Sequence, residues 1–371
     1  MPSLRGALVD ARTIPKSIGP CFTPITDIMT KLVLQGCLSP RESGELVAKN
    51  AQNIVIDHDG VKKCAEFLAD RLKQGGLRME DLFKKTEIHP QSADEAGAKW
   101  VFFADVLNFS FWHQEDQPQY AITYKGNRYT GYLSLCAAIN RTLDQGIPLT
   151  DPDFFGTITE DQLDGYLKGD QGVSCPLIPD RVRCLQEASN ILKSKYENSV
   201  KNLILSAKGS AQSLLTKLTS DFECFNDSAE FDADRRVSFF KRAQIFISDL
   251  WCLFEGQDLG KFEDIDSLTM FADYRVPQSL QYFGAFKYSE ALLDQLNTNE
   301  ELAFGHPFEM EIRGCSIKAV DVIVEEVRKK QLDPTIRVNA ILVDYFLWGF
   351  RREKAKEMEK FPYHKTRSIY Y

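Results

Sequence analysis

Three aspartates that lie inside apolar or aromatic segments are the residues of this sequence best suited to chemistry. An ionised carboxylate in such surroundings costs free energy unless it has a partner, so each can mark a ligand site. The same pattern is also typical of helix N-caps and structural salt bridges, and by itself it names no function. The three residues are Asp249, Asp273 and Asp344.

Asp273 lies directly before a helix that a proline could begin. It belongs to the aromatic segment 269–277, and Pro277 suits the first turn of a helix. The free backbone N–H groups at the start of a helix can hold an anion. We therefore expect the Asp273 carboxylate to stay charged and to face a cleft.

Asp344 and Asp249 lie in two aromatic helical segments. Asp344 precedes Trp348 by four residues, which places the carboxylate and the indole on one helical face. An acid beside an aromatic plane can bind a cationic, base-like ligand. Asp249 follows the cations Lys241 and Arg242 by two turns, so a structural ion pair is the alternative to a ligand-binding role.

The motifs of several common enzyme classes are missing from the sequence. It contains no G-x-S-x-G, no Walker loop and no G-x-G-x-x-G, which disfavours hydrolase triads, nucleoside triphosphatases and Rossmann dehydrogenases. Cys315 follows the cation Arg313, which could lower the pKa of a nucleophilic thiol. The usual burial of cysteine favours a small apolar core residue at this position instead.

Nine cysteines and five histidines are scattered along the chain. No C-x-x-C pair occurs and the histidines are isolated from one another, whereas zinc sites need ligands at short fixed spacings. We therefore predict no metal and no cofactor. An odd number of scattered thiols predicts a reducing compartment, the cytosol or the nucleus.

Composition and charge favour a soluble protein with a small-molecule ligand. The 371 residues are 43% hydrophobic and 26% charged, which is ordinary globular usage, and no run of about 18 apolar residues predicts a membrane span. The net charge of −8 argues against stable binding of a polymeric nucleic acid. A single nucleotide remains possible, because one phosphate needs only one or two cations.

Helical periodicity dominates the chain and predicts a mainly α-helical fold. Residues 1–36 contain four prolines and little periodicity, which predicts a loosely ordered N-terminal extension, and residues 37–371 are predicted to form a single domain. Thr159 and Gln162 have the spacing of a capping box. Helices are predicted at Val61–Leu72, Leu135–Leu143, Val182–Tyr196, Ser210–Phe222, Val237–Phe254, Pro277–Phe286, Ile317–Lys329 and Arg337–Arg351.

One segment predicts β structure. Apolar and polar residues alternate over Tyr120–Tyr124, a turn follows at Lys125–Asn127, and a second extended run covers Arg128–Tyr132. This pattern is typical of a hairpin. The fold predicted from the residues is therefore a helical body with one small antiparallel β-hairpin or sheet.

Seven segments, taken together and in this order, resemble the queuosine salvage protein family. The resemblance covers about residue 38 to the end of the sequence. The segments are Asp105–Trp112, Gly131–Ala138, Arg236–Gln244, Thr269–Pro277, Glu311–Ser316, Val343–Trp348 and the terminal Pro362–His364 with Arg367–Tyr371.

The resemblance implies a glycosylase-like helical fold and an N-glycosidase activity. The expected reaction is hydrolysis of queuosine 5'-phosphate, which releases queuine for salvage into tRNA. In the family the aspartate of the F-A-D-Y-R segment is the nucleophile or the oxocarbenium stabiliser, which here is Asp273, and Phe271 packs on the base. Asp344 and Tyr345 would bind queuine, with Asp249 and Trp348 as further substrate-binding candidates.

The resemblance does not assign the groups that bind the 5'-phosphate. Lys241 and Arg242 are our candidates, because lysine offers a point charge and arginine a bidentate fork, and Arg275 and Arg313 compete with them. Some family members carry a histidine where Thr86 stands and an acid where Gly349 stands. A DNA or RNA glycosylase of related fold and a non-enzymatic queuine carrier are the alternative functions.

Overall fold

The structure is a computed structural model that describes residues 37–75, 83–84, 86–114, 116–330 and 332–371. The prediction for residues 1–36 lies outside these ranges, and the division into domains stays a prediction. The predicted mainly α-helical fold is confirmed. The α-helices of the described residues are α1 Pro40–Asn50, α2 His58–Lys73, α3 Glu95–Val106, α4 Tyr132–Asp144, α5 Pro152–Phe155, α6 Glu160–Leu167, α7 Ile178–Lys195, α8 Val200–Ser206, α9 Ala211–Asp221, α10 Lys241–Leu253, α11 Val276–Tyr282, α12 Glu290–Asn297, α13 Pro307–Arg328, α14 Ala340–Glu353 and α15 Ala355–Met358.

The described β structure consists of short antiparallel pairs. The predicted hairpin is confirmed, since Tyr124 pairs with Asn127 across a two-residue turn in which Lys125 and Gly126 both have positive φ. Two further pairs were not predicted, because their strands are only three residues long and too short to show alternation. The strands are β1 Ile54–Ile56, β2 Ala121–Tyr124, β3 Asn127–Thr130, β4 Ser228–Glu230, β5 Arg236–Ser238 and β6 Phe286–Tyr288, paired as β1–β6, β2–β3 and β4–β5.

Local signals in the sequence located several helix ends correctly. Thr159 and Gln162 form the predicted capping box at the start of α6, and Ser210 caps α9 by accepting a hydrogen bond from the backbone N–H of Ser213. Gly75 and Gly146 follow the last residues of α2 and α4 with positive φ, as expected of helix-terminating glycines. Capping and turn chemistry is local, so it can be recognised without tertiary information.

Several predicted helices differ from the structure at their ends, among them the central helix, α11 and α13. The central helix begins at Lys241 rather than Val237, because residues 236–238 pair as β5 and Phe240 has a φ of 45°. α11 ends at Tyr282, because Gly284 with positive φ turns the chain into β6. α13 begins at Pro307, ten residues before the predicted start, and His306 caps it.

α13 contributes many residues to the hydrophobic core and packs closely on α1. A Cβ atom placed on Gly314 would lie 2.4 Å from the Cβ of Val47, and one placed on Gly44 would lie 2.7 Å from Cγ2 of Ile317. Only glycine permits the two backbones to approach this closely. α13 is in turn packed against α14 and α11, which carry residues of the candidate site.

α10 and α14 are the two buried helices that position the candidate site. Nearly every residue of α10 is buried, including Lys241, Arg242 and Asp249, and α14 buries Asp344 while Trp348 is half-buried. Among the described residues, no helix combines the length and the apolar character that crossing a bilayer requires.

Candidate active site

A cavity lies between α10, α14 and the segment that precedes α11. It holds about 630 Å³ of empty space, part of it open to solvent. Seven of the eight predicted site residues line it, all except Arg242. The lining residues are Thr86, His89, Asn108, Tyr132, Lys241, Ile245, Asp249, Phe271, Asp273, Asp344, Tyr345 and Trp348.

Asp273 is held by the first backbone donors of α11. Its Oδ1 accepts hydrogen bonds from the N–H groups of Arg275 and Val276, both at 2.8 Å. The side chain is 9% exposed, and its Oδ2 has no hydrogen-bond partner among the described residues. The carboxylate therefore has a fixed orientation and one oxygen free for a ligand, at the start of the proline-containing helix predicted from the sequence.

Asp344 is tied to the same segment as Asp273. Its Oδ1 accepts a hydrogen bond of 3.0 Å from the backbone N–H of Phe271, and Phe271 and Trp348 line the cavity beside it. Burial, together with the nearby charge of Asp273, raises the pKa of Asp344 well above its usual value. A cation bound in the cavity would favour the ionised form of this carboxyl.

Asp249 is the third carboxylate that lines the cavity. The Tyr345 hydroxyl donates a short hydrogen bond to Oδ1 of Asp249, and burial raises the pKa of Asp249 to about 7. No ion pair of the described residues includes Asp249, so the structural salt bridge considered for it does not form. The buried Asp105 lies behind it, and burial and the charge of Asp249 raise its pKa well above the usual value.

Lys241 and Arg242 are neighbours in sequence but differ in position. Lys241 lines the cavity, its Nζ donates to the Asn108 carbonyl at 3.3 Å, and burial lowers its pKa. Arg242 is 1% exposed and donates to the backbone carbonyls of Asp105, Val106 and Cys224. The structure therefore does not bring Arg242 to the cavity.

Arg313, the other buried arginine considered for phosphate binding, is also fully engaged. Its guanidinium forms two hydrogen bonds to Asp227, at 3.0 and 2.5 Å, and one to Glu309 at 3.1 Å. Its Nε donates to the Ala272 carbonyl at 3.0 Å. Arg313 thus supports the backbone directly before Asp273 and has no free face for a ligand.

Apart from Thr86, four cavity residues were not predicted as site residues. His89 is stacked on Phe83, and burial lowers its pKa to about 4, so its imidazole is neutral at pH 7. Its Nδ1 is hydrogen-bonded to the Phe83 carbonyl while Nε2 is buried without a partner. The Tyr132 hydroxyl is also buried without a partner. Asn108 and Tyr132 belong to segments that carry the family resemblance, and this membership was the signal by which they could have been found. Ile245 is the fourth of these cavity residues.

The two positions at which some family members are expected to carry other residues differ in their placement. Thr86 lines the cavity beside His89, whereas Gly349 is exposed on α14 and does not line it. Cys315, considered as a nucleophile, is fully buried, and burial raises the pKa of its thiol. That environment fits the apolar core role rather than a reactive thiolate.

A second, outer cavity adjoins the first and has the opposite charge. The two cavities share Asn108, Tyr132, Lys241, Asp273 and Trp348. The outer one is also lined by Arg275, Arg351 and Arg352, together with aromatic and polar residues of 109–113. Asp273 therefore lies at the junction between an acidic, aromatic inner cavity and a basic outer cavity.

Comparison with known proteins relates the chain to one family. The family described as queuosine salvage protein matches residues 88–371. The chain is 42% identical over 342 residues to the Bos taurus protein named queuosine 5'-phosphate N-glycosylase/hydrolase, covering 91% of this chain and 100% of that protein. Proteins of the same name from Mus musculus and Schizosaccharomyces pombe are 43% and 35% identical, over 90% and 89% of this chain and 99% of each protein.

Proposed function

The chain belongs to the queuosine salvage protein family, and from that premise we propose that it hydrolyses the N-glycosidic bond of queuosine 5'-phosphate. The products are queuine, which becomes available for salvage into tRNA, and ribose 5-phosphate. The single observation that carries the proposal is the position of Asp273. Its carboxylate is fixed where a base-binding cavity meets a basic cavity.

Cleavage of the bond requires a group that stabilises positive charge on the sugar. The bond between C1' of the ribose and N9 of the base breaks, and its electron pair leaves with N9. Positive charge develops on C1' and on the ring oxygen of the ribose. The free Oδ2 of Asp273 faces this charge and either stabilises it or forms a bond to C1'. Water then supplies hydroxide to C1' and a proton to the leaving base.

Two hydrogen bonds keep Asp273 in place during this reaction. Because the N–H groups of Arg275 and Val276 already hold Oδ1, the carboxylate does not have to reorganise when charge develops on the sugar. Preorganised charge of this kind commonly contributes a factor of about 10²–10³ to the rate. We assign Asp273 as the catalytic residue.

The inner cavity supplies the groups that bind the base. Queuine carries a secondary amine with a cyclopentenediol, so a carboxylate can pair with the ammonium and accept hydrogen bonds from the hydroxyls. Asp344 and Asp249 are the carboxylates, and Phe271, Tyr345 and Trp348 supply aromatic surface. Ring stacking and ionic hydrogen bonds together select a cationic, planar ligand.

The partner and the compartment of the protein follow from the same chemistry. The ligand is a small molecule, and the net charge of −8 supports the expectation that no nucleic acid binds stably. None of the eight cysteines that the structure describes forms a disulfide, which supports a reducing compartment, the cytosol or the nucleus.

The decisive experiment compares wild type with Asp273→Asn. Asparagine can accept the two backbone hydrogen bonds through its amide oxygen, so α11 keeps its cap while the charge opposite the sugar is lost. We expect wild type to release queuine from queuosine 5'-phosphate, measured by mass spectrometry, and the variant to release it at least about 10²-fold more slowly.

Asp94→Asn is the matched control. Asp94 caps α3 by accepting a hydrogen bond from the Gly97 N–H and does not line the cavity, so the same substitution there should leave the rate unchanged. Full activity of a folded Asp273→Asn protein would remove Asp273 from the mechanism. Binding of queuine without release of ribose 5-phosphate by wild type would favour the carrier, and cleavage of duplex nucleic acid would favour the related glycosylase.

A further inference from the structure

Two buried polar atoms of the inner cavity have no hydrogen-bond partner among the described residues. They are Nε2 of His89 and the hydroxyl oxygen of Tyr132. The two rings are neighbours, with their centroids 5.7 Å apart. Buried polar atoms of folded proteins are nearly always hydrogen-bonded, and an unpaired one costs free energy until it finds a partner. The reaction described above involves neither side chain, so both are free to bind a ligand.

The imidazole of His89 offers a ligand a hydrogen-bond acceptor. Its Nδ1 lies 2.9 Å from the Phe83 carbonyl, and a carbonyl oxygen only accepts, so Nδ1 carries the ring hydrogen. Because burial lowers the pKa of His89 to about 4, the ring is neutral at pH 7 and Nε2 keeps a free lone pair. The nitrogen that remains for a ligand therefore accepts a hydrogen bond and donates none.

The backbone around His89 is held on both sides of the residue. The His89 N–H donates to the Thr86 carbonyl at 2.8 Å, and the side chain of Asn140 donates to the Ile88 carbonyl at 2.7 Å. The imidazole is stacked on Phe83, with ring centroids 4.2 Å apart. An acceptor that is already in place loses little conformational freedom on binding, so its hydrogen bond contributes more to selectivity.

Tyr132 supplies a donor next to this acceptor. It is the first residue of α4, and burial raises the pKa of its phenol, so the hydroxyl is protonated at pH 7 and can donate. Tyr132 lines both cavities, as Asp273 does, whereas His89 lines only the inner one. The donor is therefore closer to the junction where Asp273 meets the sugar, and the acceptor lies further in.

We infer that His89 and Tyr132 recognise the sugar edge of the base, which carries N3 and the 2-amino group. Nε2 of His89 accepts a hydrogen bond from the 2-amino group, and the Tyr132 hydroxyl donates one to N3. The inference rests on the proposed function for the identity of the base, a 7-deazaguanine derivative. On that base N3 is closer to N9 than the 2-amino group is, which matches the order of Tyr132 and His89 from the junction inward.

The hydrogen bond to N3 also helps the base to leave. A purine can take up a proton at N7 when its glycosidic bond breaks, but a 7-deaza base has a carbon atom at that position. The electron pair that leaves with N9 is delocalised over the ring to N3, where a hydrogen bond from Tyr132 stabilises the negative charge. The proton stays on the phenol oxygen, and water supplies the proton that the free base finally carries.

Two free bases test the role of His89 without turnover. The probes are 7-aminomethyl-7-deazaguanine and 7-aminomethyl-7-deazahypoxanthine, which differ only in the 2-amino group and both keep a cation for the carboxylates of the inner cavity. By isothermal titration calorimetry we expect wild type to bind the amino base roughly tenfold more tightly than the other. Comparing this ratio between wild type and variants isolates the contact of His89 with the amino group.

Three substitutions of His89 separate the acceptor from the structural role of the ring. His89→Asn keeps a donor for the Phe83 carbonyl, and His89→Phe keeps a ring to stack on Phe83, but neither has an acceptor at the position of Nε2. Both should lower the ratio to about 1, whereas His89→Gln, whose amide oxygen can replace Nε2, should recover a preference for the amino base. His58→Phe, at an exposed position of α2, is the control and should keep the wild-type ratio.

Tyr132→Phe tests the donor through turnover. We expect kcat for queuine release from queuosine 5'-phosphate to fall roughly tenfold or more while KM changes less than about threefold, because the hydrogen bond to N3 strengthens as charge develops on the base. Tyr124→Phe is the matched control. Its hydroxyl donates to Asp144 and it lines neither cavity, so kcat and KM should stay unchanged.

Thermal denaturation identifies the folded variants, and either His89→Asn or His89→Phe is sufficient for the comparison. Equal binding of the two bases by wild type, or an unchanged ratio in a folded His89 variant without the acceptor, would overturn the role of His89. An unchanged kcat in Tyr132→Phe would overturn that of Tyr132. If wild type binds the bases but releases no queuine, the proposed hydrolysis fails while the ratio still decides how the base is recognised; if wild type binds neither base, the inference is refuted.

Discussion

Replacing Arg313 by methionine tests whether the buried ion cluster behind Asp273 holds the site together. Arg313 is fully buried, and its partners Asp227 and Glu309 are 2% and 0% exposed in their side chains. Asp227 also accepts a hydrogen bond from the backbone N–H of Lys241, at the start of α10. The cluster thus joins α13 to α10 and, through the Ala272 carbonyl, to the segment that carries Asp273.

The expected loss of stability follows from the geometry. Methionine fills much of the volume of arginine but leaves two buried acids without a cation and the Ala272 carbonyl without its donor. Breaking a buried ion pair by removing one partner costs about 3–5 kcal/mol, because the remaining charge stays desolvated. Arg313→Lys keeps the charge and loses the fork to Asp227, so we expect a smaller loss of the free energy of unfolding.

Urea denaturation at pH 5 and pH 8 measures this loss and its cause. Burial already raises the pKa of Glu309, and the Arg313 charge opposes that rise. Without Arg313 the pKa of Glu309 rises further, so the variant is stabilised at low pH and loses stability as pH increases. We expect a larger deficit at pH 8 than at pH 5. A deficit below about 1 kcal/mol, or one independent of pH, would show that the cluster does not support the fold as argued.

Four further predictions follow from individual contacts. Asp273→Ala should lower the free energy of unfolding by about 1 kcal/mol relative to Asp273→Asn, because alanine cannot cap α11; equal urea midpoints would contradict the capping role. Queuine should bind more tightly as pH rises through about 7, where Asp249 ionises, and calorimetry should show no such inflection for Asp249→Asn. In the unliganded protein the raised pKa of Asp249 lowers stability as pH rises from about 4 to about 7, so Asp249→Asn should raise the melting temperature at pH 8 more than at pH 4.5; an equal effect at both values would refute the ionisation. Gly314→Ala should destabilise the protein by about 1–3 kcal/mol through overpacking against Val47, whereas Gly165→Ala, where nothing lies near the added methyl group, should show no such loss in thermal denaturation.

Much of the fold could be predicted because its signals are local. The helix faces of α2 and α4, the capping box of α6 and the hairpin turn at Lys125 and Gly126 depend on residues close together in the chain. Where long-range pairing competes with helical periodicity, prediction was less accurate. Val237 is in phase with the apolar residues of the following helix, yet residues 236–238 pair with 228–230 and delay the start of α10.

The residues of the candidate site also divide into those that could be predicted from a single segment and those that only the fold brings together. The positions of Asp273, Asp344 and Trp348 could be predicted, because a carboxylate before a proline-containing helix and an acid four residues before an aromatic are patterns within one segment. Asp249 was a candidate from the pattern of its own segment, but only the fold shows that it lines the same cavity as Asp273, 24 residues later. His89 carried no signal in the sequence, since an isolated histidine is usually a core residue, and only the fold places it in the lining of the cavity.

The sequence by itself determined the class of the fold, the family and the carboxylates that face the cavity. Only the tertiary structure decided which cations are available to a ligand. Arg242, Arg313 and Arg351 all lie within helices, but the first two are saturated by oxygens that include the distant Cys224 carbonyl and the Asp227 carboxylate, while Arg351 meets a neutral glutamine. The charge of an arginine is a property of the residue, whereas its availability depends on which oxygen atoms the folded chain places around it.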